Sequence, residues 1–417
     1  MNQELFIARR MSLDSGRQKG SPSLTVALIG IMLAVVVMIL SIAIVMGFKG
    51  EITGKIMNLD AHLRVANAAL GIDDNYATVN GREVREAIAE DKHFAPKVAS
   101  ISLIADKSAI LKTDDDFKGV IMQGVDNGYD FGYLKERMIE GNVLTMGDTA
   151  SDNQMIISKV IADQLKLHAG DKVFTYFIDN NIKVRNLTIV GVFETDLEAF
   201  DNAYVVCPIG LLQGVNGWNG DTGTHVAVNL KSTSDLDGDA YSLYTLLASN
   251  TVQHESKNLF FVSTTKQNNL PFFAWLQMLD MNVVVILALM MIVAAFTLIS
   301  AMLMIVLERI RVIGNFKAMG ATNGSIRRIF IFLTGKLIVK SLIFGNIVGI
   351  GLALLQQYGH IVRLDPAAYY MPYVPISLNI PALLLLNLGI LVVSYLTLLG
   401  ASHIISTIKP AATMRFE

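Results

Sequence analysis

Four long apolar stretches, one near the start of the chain and three in its second half, constrain this protein more than any other feature. Leu24–Met46 and Met281–Leu307 run without a single charged residue, and Ile329–Leu355 and Ile380–Ile408 are apolar over most of their length. A bilayer core about 30 Å thick is crossed by about 20 apolar residues in helical form. The first, second and fourth stretches meet that requirement outright. The third carries Lys336 and Lys340 near one end. The fold expected is an α-helical membrane protein with four transmembrane helices in a 1+3 order and a large α+β extracytoplasmic domain inserted between helices 1 and 2. The expected boundaries are a cytoplasmic N-terminal segment at 1–23, helix 1 at 24–46, the extracytoplasmic (periplasmic) domain at 47–277 and helix 2 at 278–307. A cytoplasmic loop follows at 308–326, then helix 3 at 327–355, an extracytoplasmic loop at 356–379, helix 4 at 380–408 and a cytoplasmic tail at 409–417.

Charge sets the orientation. Residues 47–277 hold 20 Lys+Arg against 30 Asp+Glu, and the rest of the chain holds 14 against 6, so the overall net of −2 hides an acidic insert between basic flanks. Arg9, Arg10, Arg17 and Lys19 precede helix 1. Arg309, Arg311, Lys317, Arg327 and Arg328 lie between helices 2 and 3, and Lys409 and Arg415 follow helix 4. By the positive-inside rule both termini and the 308–326 loop face the cytoplasm. The 23-residue first stretch exceeds the 7–15 residues of a signal-peptide core, so it reads as a span rather than a cleaved leader. The one cysteine, Cys207, allows no internal disulfide and reads as a small buried hydrophobe.

Within the insert, strand and helix signals mix. Helical spacing covers Arg82–Glu90 and Ser158–Leu167, with Gly170 suited to a left-handed cap. Strands are expected at Ala109–Lys112, Val120–Val125, Val173–Ile178 and Lys183–Phe193, the last two joined by a turn at Asp179-Asn180-Asn181. Residues 52–65 are expected to leave the membrane and turn into a strand, and Gly220–Asp239 reads as loop. Two subdomains divided between residues 68 and 110 are expected. Phe272–Asp280 is apolar on one face, so helix 2 is expected to begin outside the membrane. In helix 3, Gly345, Gly349 and Gly351 form a small-residue stripe suited to close helix packing. Lys340 asks for a partner or water, and Asn387 in helix 4 for an interhelical hydrogen bond.

No enzyme signature is present. The chain has no phosphate-binding glycine loop, since Thr334-Gly335-Lys336 lacks the upstream glycine. It has no H-E-x-x-H, no paired cysteines and no G-x-S-x-G. Asp114-Asp115-Asp116 reads as a solvated acidic turn, and the acidic insert argues against nucleic acid. No metal site is expected.

The 308–326 loop carries the most information. Ile310, Ile313, Phe316 or Lys317, and Met319-Gly320 recur at helical spacing. They make a short amphipathic helix that rests on anionic lipid or docks a cytoplasmic partner. The run Glu308-Arg309-x-Arg311-x-Ile313-Gly314-x-x-Lys317-Ala318-Met319-Gly320-Ala321 resembles the E-R-x-x-E-I-x-x-L-[KR]-A-[LM]-G-A signature of FtsX/MacB-type ABC transporter permeases. Within them it is closest to the LolC/LolE lipoprotein-release permeases. Val45-Met46-Gly47-Phe48-x-x-Glu51, Gly119–Asp126, Glu140–Leu144, Val190–Asp201 and Lys409–Arg415 resemble further stretches of that group. Two departures stand out: Arg311-Val312 replaces an acidic residue, and Asn315-Phe316 replaces a more apolar pair.

The resemblance implies a non-catalytic permease subunit that extracts lipoproteins from the outer leaflet of the bacterial inner membrane. It implies a cytoplasmic ABC ATPase dimer as partner, with ATP and Mg on that subunit and no cofactor on this chain. A second permease subunit, identical or homologous, a lipoprotein cargo, membrane lipids and a periplasmic carrier complete the partners implied. ATPase coupling falls to Glu308, Arg309, Arg311, Ile313, Gly314, Lys317, Ala318, Met319, Gly320 and Ala321. Met38, Ile42, Met46 and Phe48 are the candidates for an acyl-chain cavity, because methionine adapts to irregular apolar shapes. The hairpin Phe177, Ile178, Asp179, Asn180 and Asn181 is the candidate for carrier docking, though short for that task. The alternatives implied are FtsX-like mechanical control of an extracytoplasmic cell-wall hydrolase and MacB-like export of small molecules or peptides.

Overall fold

The computed structural model describes residues 22–68, 78–147, 152–178, 181–253 and 259–402. The basic N-terminal segment, the turn residues Asp179 and Asn180, and the tail from residue 403 lie outside the described residues. The chain divides into two compact units. One comprises Met1–Glu51, Ala274–Leu364 and Tyr373–Glu417, and the other Ile52–Phe273 and Asp365–Pro372.

The chain enters the described region on α1 (Pro22–Leu59). At 38 residues it is roughly 57 Å long at 1.5 Å per residue, well beyond a bilayer core. The early turn to strand expected after residue 52 does not occur. Ile52, Ile56 and Leu59 are all buried and extend the helical apolar pattern, so the helix persists until Asp60.

The Ile52–Phe273 unit is built on one ten-stranded sheet. Its first strand is β1 (Leu63–Asn67). After β2 (Val79–Asn80), α2 (Gly81–Glu90) is capped by Asn80, whose side chain accepts from the amides of Arg82 and Glu83. Then come β3 (Val98–Lys112), β4 (Phe117–Val125), β5 (Met138–Gly141) and β6 (Gln154–Ser158). The Asp114-Asp115-Asp116 run makes the turn between β3 and β4, where the amide of Thr113 donates to the Asp116 carbonyl at 2.9 Å. Helix α3 (Lys159–Leu165) is capped by Ser158 and closed by Lys166 in the left-handed conformation (φ 56°). The cap expected at Gly170 falls on Lys166 instead, and Gly170 serves the next turn at φ 102°. Strands β7 (Lys172–Ile178) and β8 (Ile182–Phe193) pair antiparallel from Ile178↔Ile182 to Lys172↔Thr188. Next are β9 (Tyr204–Pro208), α4 (Ile209–Asn216), β10 (Thr222–Gly223), β11 (His225–Leu230), α5 (Leu236–Gln253) and β12 (Phe260–Thr264).

The strand order is β12-β1-β11-β3-β4-β9-β6-β8-β5, with β7 bridging β3 and β8. Most neighbours are antiparallel, and β4–β9 and β6–β8 run parallel. Two hydrophobic cores sit on this sheet. One packs α2 and α5 against β1, β11 and the start of β3, through Leu63, Val84, Leu103, Val226, Leu243 and Leu247. The other packs α3 and α4 against the rest, through Leu111, Met122, Ile157, Ile161, Ile189, Cys207 and Leu212. The two lobes therefore exist but do not meet at a single break between 68 and 110. Strand β3 runs through both cores, and residues 225–264 return to the first. The stretch from Gly220, expected as loop, includes β11, whose residues are almost all buried because it lies between β1 and β3. Strands buried on both faces lose the alternation that identifies them in sequence.

The other unit is helical. Helix α6 (Leu270–Glu308) spans 39 residues, roughly 58 Å, and begins well before the apolar run, as its sequence implies. Two further long helices are α8 (Asn323–Gly359) and α9 (Ile380–Ala401), and the short α7 (Ile310–Ala318) stands between α6 and α8. Among the described residues, four helices, α1 (from Thr25), α6, α8 and α9, are long and apolar enough to cross a membrane. Their shared core includes Ile31, Val35 and Met38 from α1, Leu298 and Met302 from α6, Phe330 and Leu342 from α8, and Ile390 and Leu398 from α9.

Candidate functional site

The segment from Glu308 to Thr322 forms a sharply defined short helix. Helix α6 stops at Glu308, where the amide of Arg309 is shared between the carbonyls of Ile305 and Val306 at 3.2 and 3.3 Å. Arg309 leaves helical geometry, and α7 starts at Ile310. Ile313 and Gly314 are buried, and Ile313 belongs to the helical core. Phe316 and Ala321 pack against the same core. The opposite face is open: Arg311, Asn315, Ala318, Met319 and Gly320 are exposed, and Met319 is 81% accessible. Arg309 and Lys317 are half-buried at the edges.

The end of α7 is a Schellman motif. Gly320 sits at φ 88°; its amide donates to Lys317 O at 3.1 Å, and the Ala321 amide donates to Phe316 O at 2.9 Å. Any L-residue at that φ costs about 1–2 kcal/mol. Phe316 and Ala321, the positions where an apolar contact accompanies such a cap, both pack against the helical core. The next helix is capped by Thr322, whose side chain accepts from the Ser325 amide at 3.3 Å. Asn323-Gly324-Ser325 therefore opens α8. Arg327, which the sequence marks only as one basic residue among several, donates to Ser402 Oγ at 3.0 Å and Leu399 O at 3.2 Å, tying the start of α8 to the end of α9.

The four acyl-cavity candidates separate. Met38 is fully buried in the helical core, so it does not line an open lateral cavity in this arrangement. Its position on the inward face of α1 was hidden because the whole helix is apolar and has no amphipathic side to read. Ile42 is half-buried against that core, and Met46 and Phe48 are half-buried. Phe48 meets Trp275 edge-to-face at 5.6 Å, and one turn away Lys49 pairs with Asp280 at 2.7 Å.

Of the three stripe glycines, two face α1. A Cβ on Gly345 would lie 2.8 Å from Val35 Cβ, and one on Gly349 would lie 3.1 Å from Ile39 Cδ1. Gly351 has nothing within 4 Å and faces outward, because two residues further round a helix is a 200° turn. Asn387 exchanges amide hydrogen bonds with Asn346, at 2.7 and 3.1 Å, joining α8 and α9.

In the sheet unit the hairpin residues also divide. Phe177 is fully buried in the second core and is not available for docking, whereas Ile178 and Asn181 are exposed. The apolar side chains that do face outward are Phe174, Ile178, Ile182 and Val184, with Phe117 across the sheet. They are the alternate residues of the same strands, a signal available from the two-residue period. Elsewhere, Arg64 on β1 reaches over β11 to Asp106 on β3 at 2.9 Å and donates to His225 Nδ1 at 2.9 Å. Because Nδ1 accepts from Arg64, the 3.5 Å approach of His225 to Asp106 is not an ion pair. Burial holds the His225 pKa well below its usual value and raises that of Asp106. Asp201, pushed up to about 6 by burial, accepts from the amide and hydroxyl of Thr195 at 3.1 and 2.8 Å. Among the described residues, no cluster of His, Cys, Asp or Glu has a metal-holding arrangement.

Comparison with known proteins fits this geometry. The model of the MacB-like periplasmic core domain matches residues 24–238, and that of the FtsX-like permease C-terminal region matches residues 284–410. The lipoprotein-releasing system transmembrane protein LolC of Xylella fastidiosa (strain 9a5c) is 22% identical over 94% of this chain and 93% of its own length. LolC of Neisseria meningitidis serogroup B is 22% identical, covering 94% of each chain, and LolE of Haemophilus influenzae is 21% identical, covering 99% of each. Among solved structures, the extracellular domain of the noncanonic ABC-type transporter YknZ from Gram-positive bacteria is 18% identical. It covers 49% of this chain and 99% of its own, with a TM-score of 0.35. The periplasmic region of MacB from Actinobacillus actinomycetemcomitans is 15% identical over 50% of this chain and 91% of its own, with a TM-score of 0.35. Spanning both matched regions, the chain belongs to the FtsX/MacB-type ABC transporter permeases and is similar to LolC and LolE.

Proposed function

We propose that this chain is the non-catalytic permease subunit of an ATP-driven complex that extracts lipoproteins from the outer leaflet of a bacterial inner membrane. The observation that carries the reading is similarity to LolC and LolE along almost the whole chain rather than over one domain. In this reading the helices cross the membrane in a 1+3 order, both termini and residues 308–326 are cytoplasmic, and residues 47–277 are periplasmic. ATP and Mg bind a separate ATPase dimer, and a second permease, identical or homologous, completes the membrane part.

The open face of α7, with Arg311, Asn315, Ala318 and Met319, supports its role as the element on which the ATPase pushes. Ile313, Phe316 and Ala321 root it in the helical core, so a push on α7 moves α6 and α8. Helix α6 is unbroken from Leu270 to Glu308 and carries that displacement along its length. Ile42, Met46 and Phe48 remain as candidates for contact with acyl chains. The outward strand face with Phe174, Ile178, Ile182 and Val184, rather than Phe177, is the candidate for carrier docking.

Depletion of the protein in its native cell tests the cargo. Lipid-modified proteins are expected to accumulate in the inner-membrane fraction before growth stops. An unchanged distribution would reject lipoprotein release and favour hydrolase control or small-molecule export.

A further inference from the structure

We propose that the sheet unit holds a binding site for one small primary amine, in the cavity between the end of α1 and strands β1, β3, β4 and β11. The cavity encloses about 270 Å³, the room of about nine water molecules at their liquid volume. Every residue that lines it falls within the Ile52–Phe273 unit. Its polar wall is formed by Asp60, just after α1, with Arg64 on β1, Asp106 on β3, Gln123 on β4 and His225 on β11.

Charge and hydrogen bonding identify the occupant. Two carboxylates line the cavity, and Arg64 is committed to one of them, donating to Asp106 at 2.9 Å. Asp60 accepts instead from two neutral donors, the Ala61 amide at 2.9 Å and Asn269 Nδ2 at 2.7 Å. His225 is held neutral and adds no charge, so two carboxylates against one guanidinium leave one net negative charge. Burial raises the pKa of Asp60 despite Asn269 and Arg64, as expected of an anion short of counter-charge. Acceptors are in surplus as well. Asp106 Oδ1 and Gln123 Oε1, on residues paired across β3 and β4, are buried and make no hydrogen bond among the described residues. An ammonium brings one positive charge and three donors with no acceptor, which answers both deficits. Water would fill the space without supplying the charge. A metal ion is not matched, because among the described residues no group of His, Cys, Asp or Glu could hold one. The remaining wall is apolar and aromatic, with Leu59, Phe200, Tyr204 and Phe272. Aromatic faces attract organic cations, and an apolar wall accommodates a hydrocarbon body. The site stands independently of the cargo proposed above.

The test titrates the full chain in lipid nanodiscs with phenethylamine, with its neutral isostere 2-phenylethanol and with phosphoethanolamine, and subtracts the heat measured with empty nanodiscs. Saturable binding of phenethylamine is expected, with 2-phenylethanol weaker by about tenfold, the loss of one charge-assisted hydrogen bond. This comparison uses the wild-type chain and does not depend on the folding of a variant. Asp60→Asn, which removes the charge and keeps a side-chain acceptor, should bring the amine down by about the same factor, to the affinity of the alcohol. Absence of saturable amine binding would leave the cavity to water and overturn the proposal. Equal affinity for the amine and the alcohol, or an Asp60→Asn chain that binds the amine as wild type does, would overturn it as well. Tighter binding of phosphoethanolamine than of phenethylamine would assign the cavity to a lipid headgroup and overturn it too.

Discussion

At the residue scale, several assignments turned on which face of an element a side chain occupies. Met38 and Phe177 have the composition suited to a lipid cavity and a docking loop, yet both are sealed in cores. In the uniformly apolar α1 the direction of Met38 is not written in the local pattern, whereas the alternation along β7 does set Phe177 on the face opposite Phe174 and Ile178. Glycines are more legible where φ is positive: Gly320 ends α7 as its place after the amphipathic run implies. Asp201 closes the Val190–Asp201 stretch that resembles the permease group, but its burial was not legible there, because it comes from packing around Phe200 and Thr195. Its raised pKa, about 6 against an ordinary 3.8, makes a signed prediction. The folded state holds the proton more tightly than the unfolded state, so this group's stabilising contribution is complete below pH 3.8 and is lost as pH rises through 6. Asp201→Asn keeps an acceptor for Thr195 but cannot ionise. Relative to wild type, it should therefore gain up to about 3 kcal/mol between pH 4 and pH 7. Thermal melts of both proteins at the two pH values check this; a constant gap would reject it.

At the element scale, the existence of the long apolar helices was plain, but α4 and α5 were not read and most helix ends were missed. Helices α1, α6 and α8 each exceed the roughly 20 residues that a bilayer demands, and their extra turns carry polar residues that hydropathy alone assigns to loops. The glycine stripe of α8 shows how contact, not motif, decides importance. Gly345→Val places a Cβ where Val35 already stands and should destabilise the chain by about 1–3 kcal/mol through overpacking. Gly351→Val meets open space and should leave the melting temperature near wild type. Equal losses at both positions would contradict the α1–α8 packing. The short α7 was legible because its amphipathic period and its terminal glycine lie close together, whereas the cap of the next helix, expected at Ser325, falls on Thr322. The division of α7 into a rooted face and an open face was not legible, since the rooting residues meet partners on α8 that are remote in pattern.

At the scale of the whole molecule, the apolar runs anticipated four helices long and apolar enough to cross a membrane, and the motif set anticipated the family. What remained hidden was the path of the sheet. Strand β11 returns between β1 and β3 more than a hundred residues after them, and no local periodicity encodes such a return. The division of labour proposed for the chain, with ATP turned over elsewhere and force received at α7, is its central claim. The full chain should be purified from native membranes in wild-type form and as Met319→Asp, which changes an exposed side chain while leaving Ile313 and Gly320 in place. The account predicts that wild type brings down an ATP-binding subunit and that the pair hydrolyses ATP while the chain alone does not. It also predicts that Met319→Asp, with an unchanged melting temperature, loses that subunit or its coupling. ATP hydrolysis by the isolated chain, or association and coupling unaffected by Met319→Asp, would contradict it.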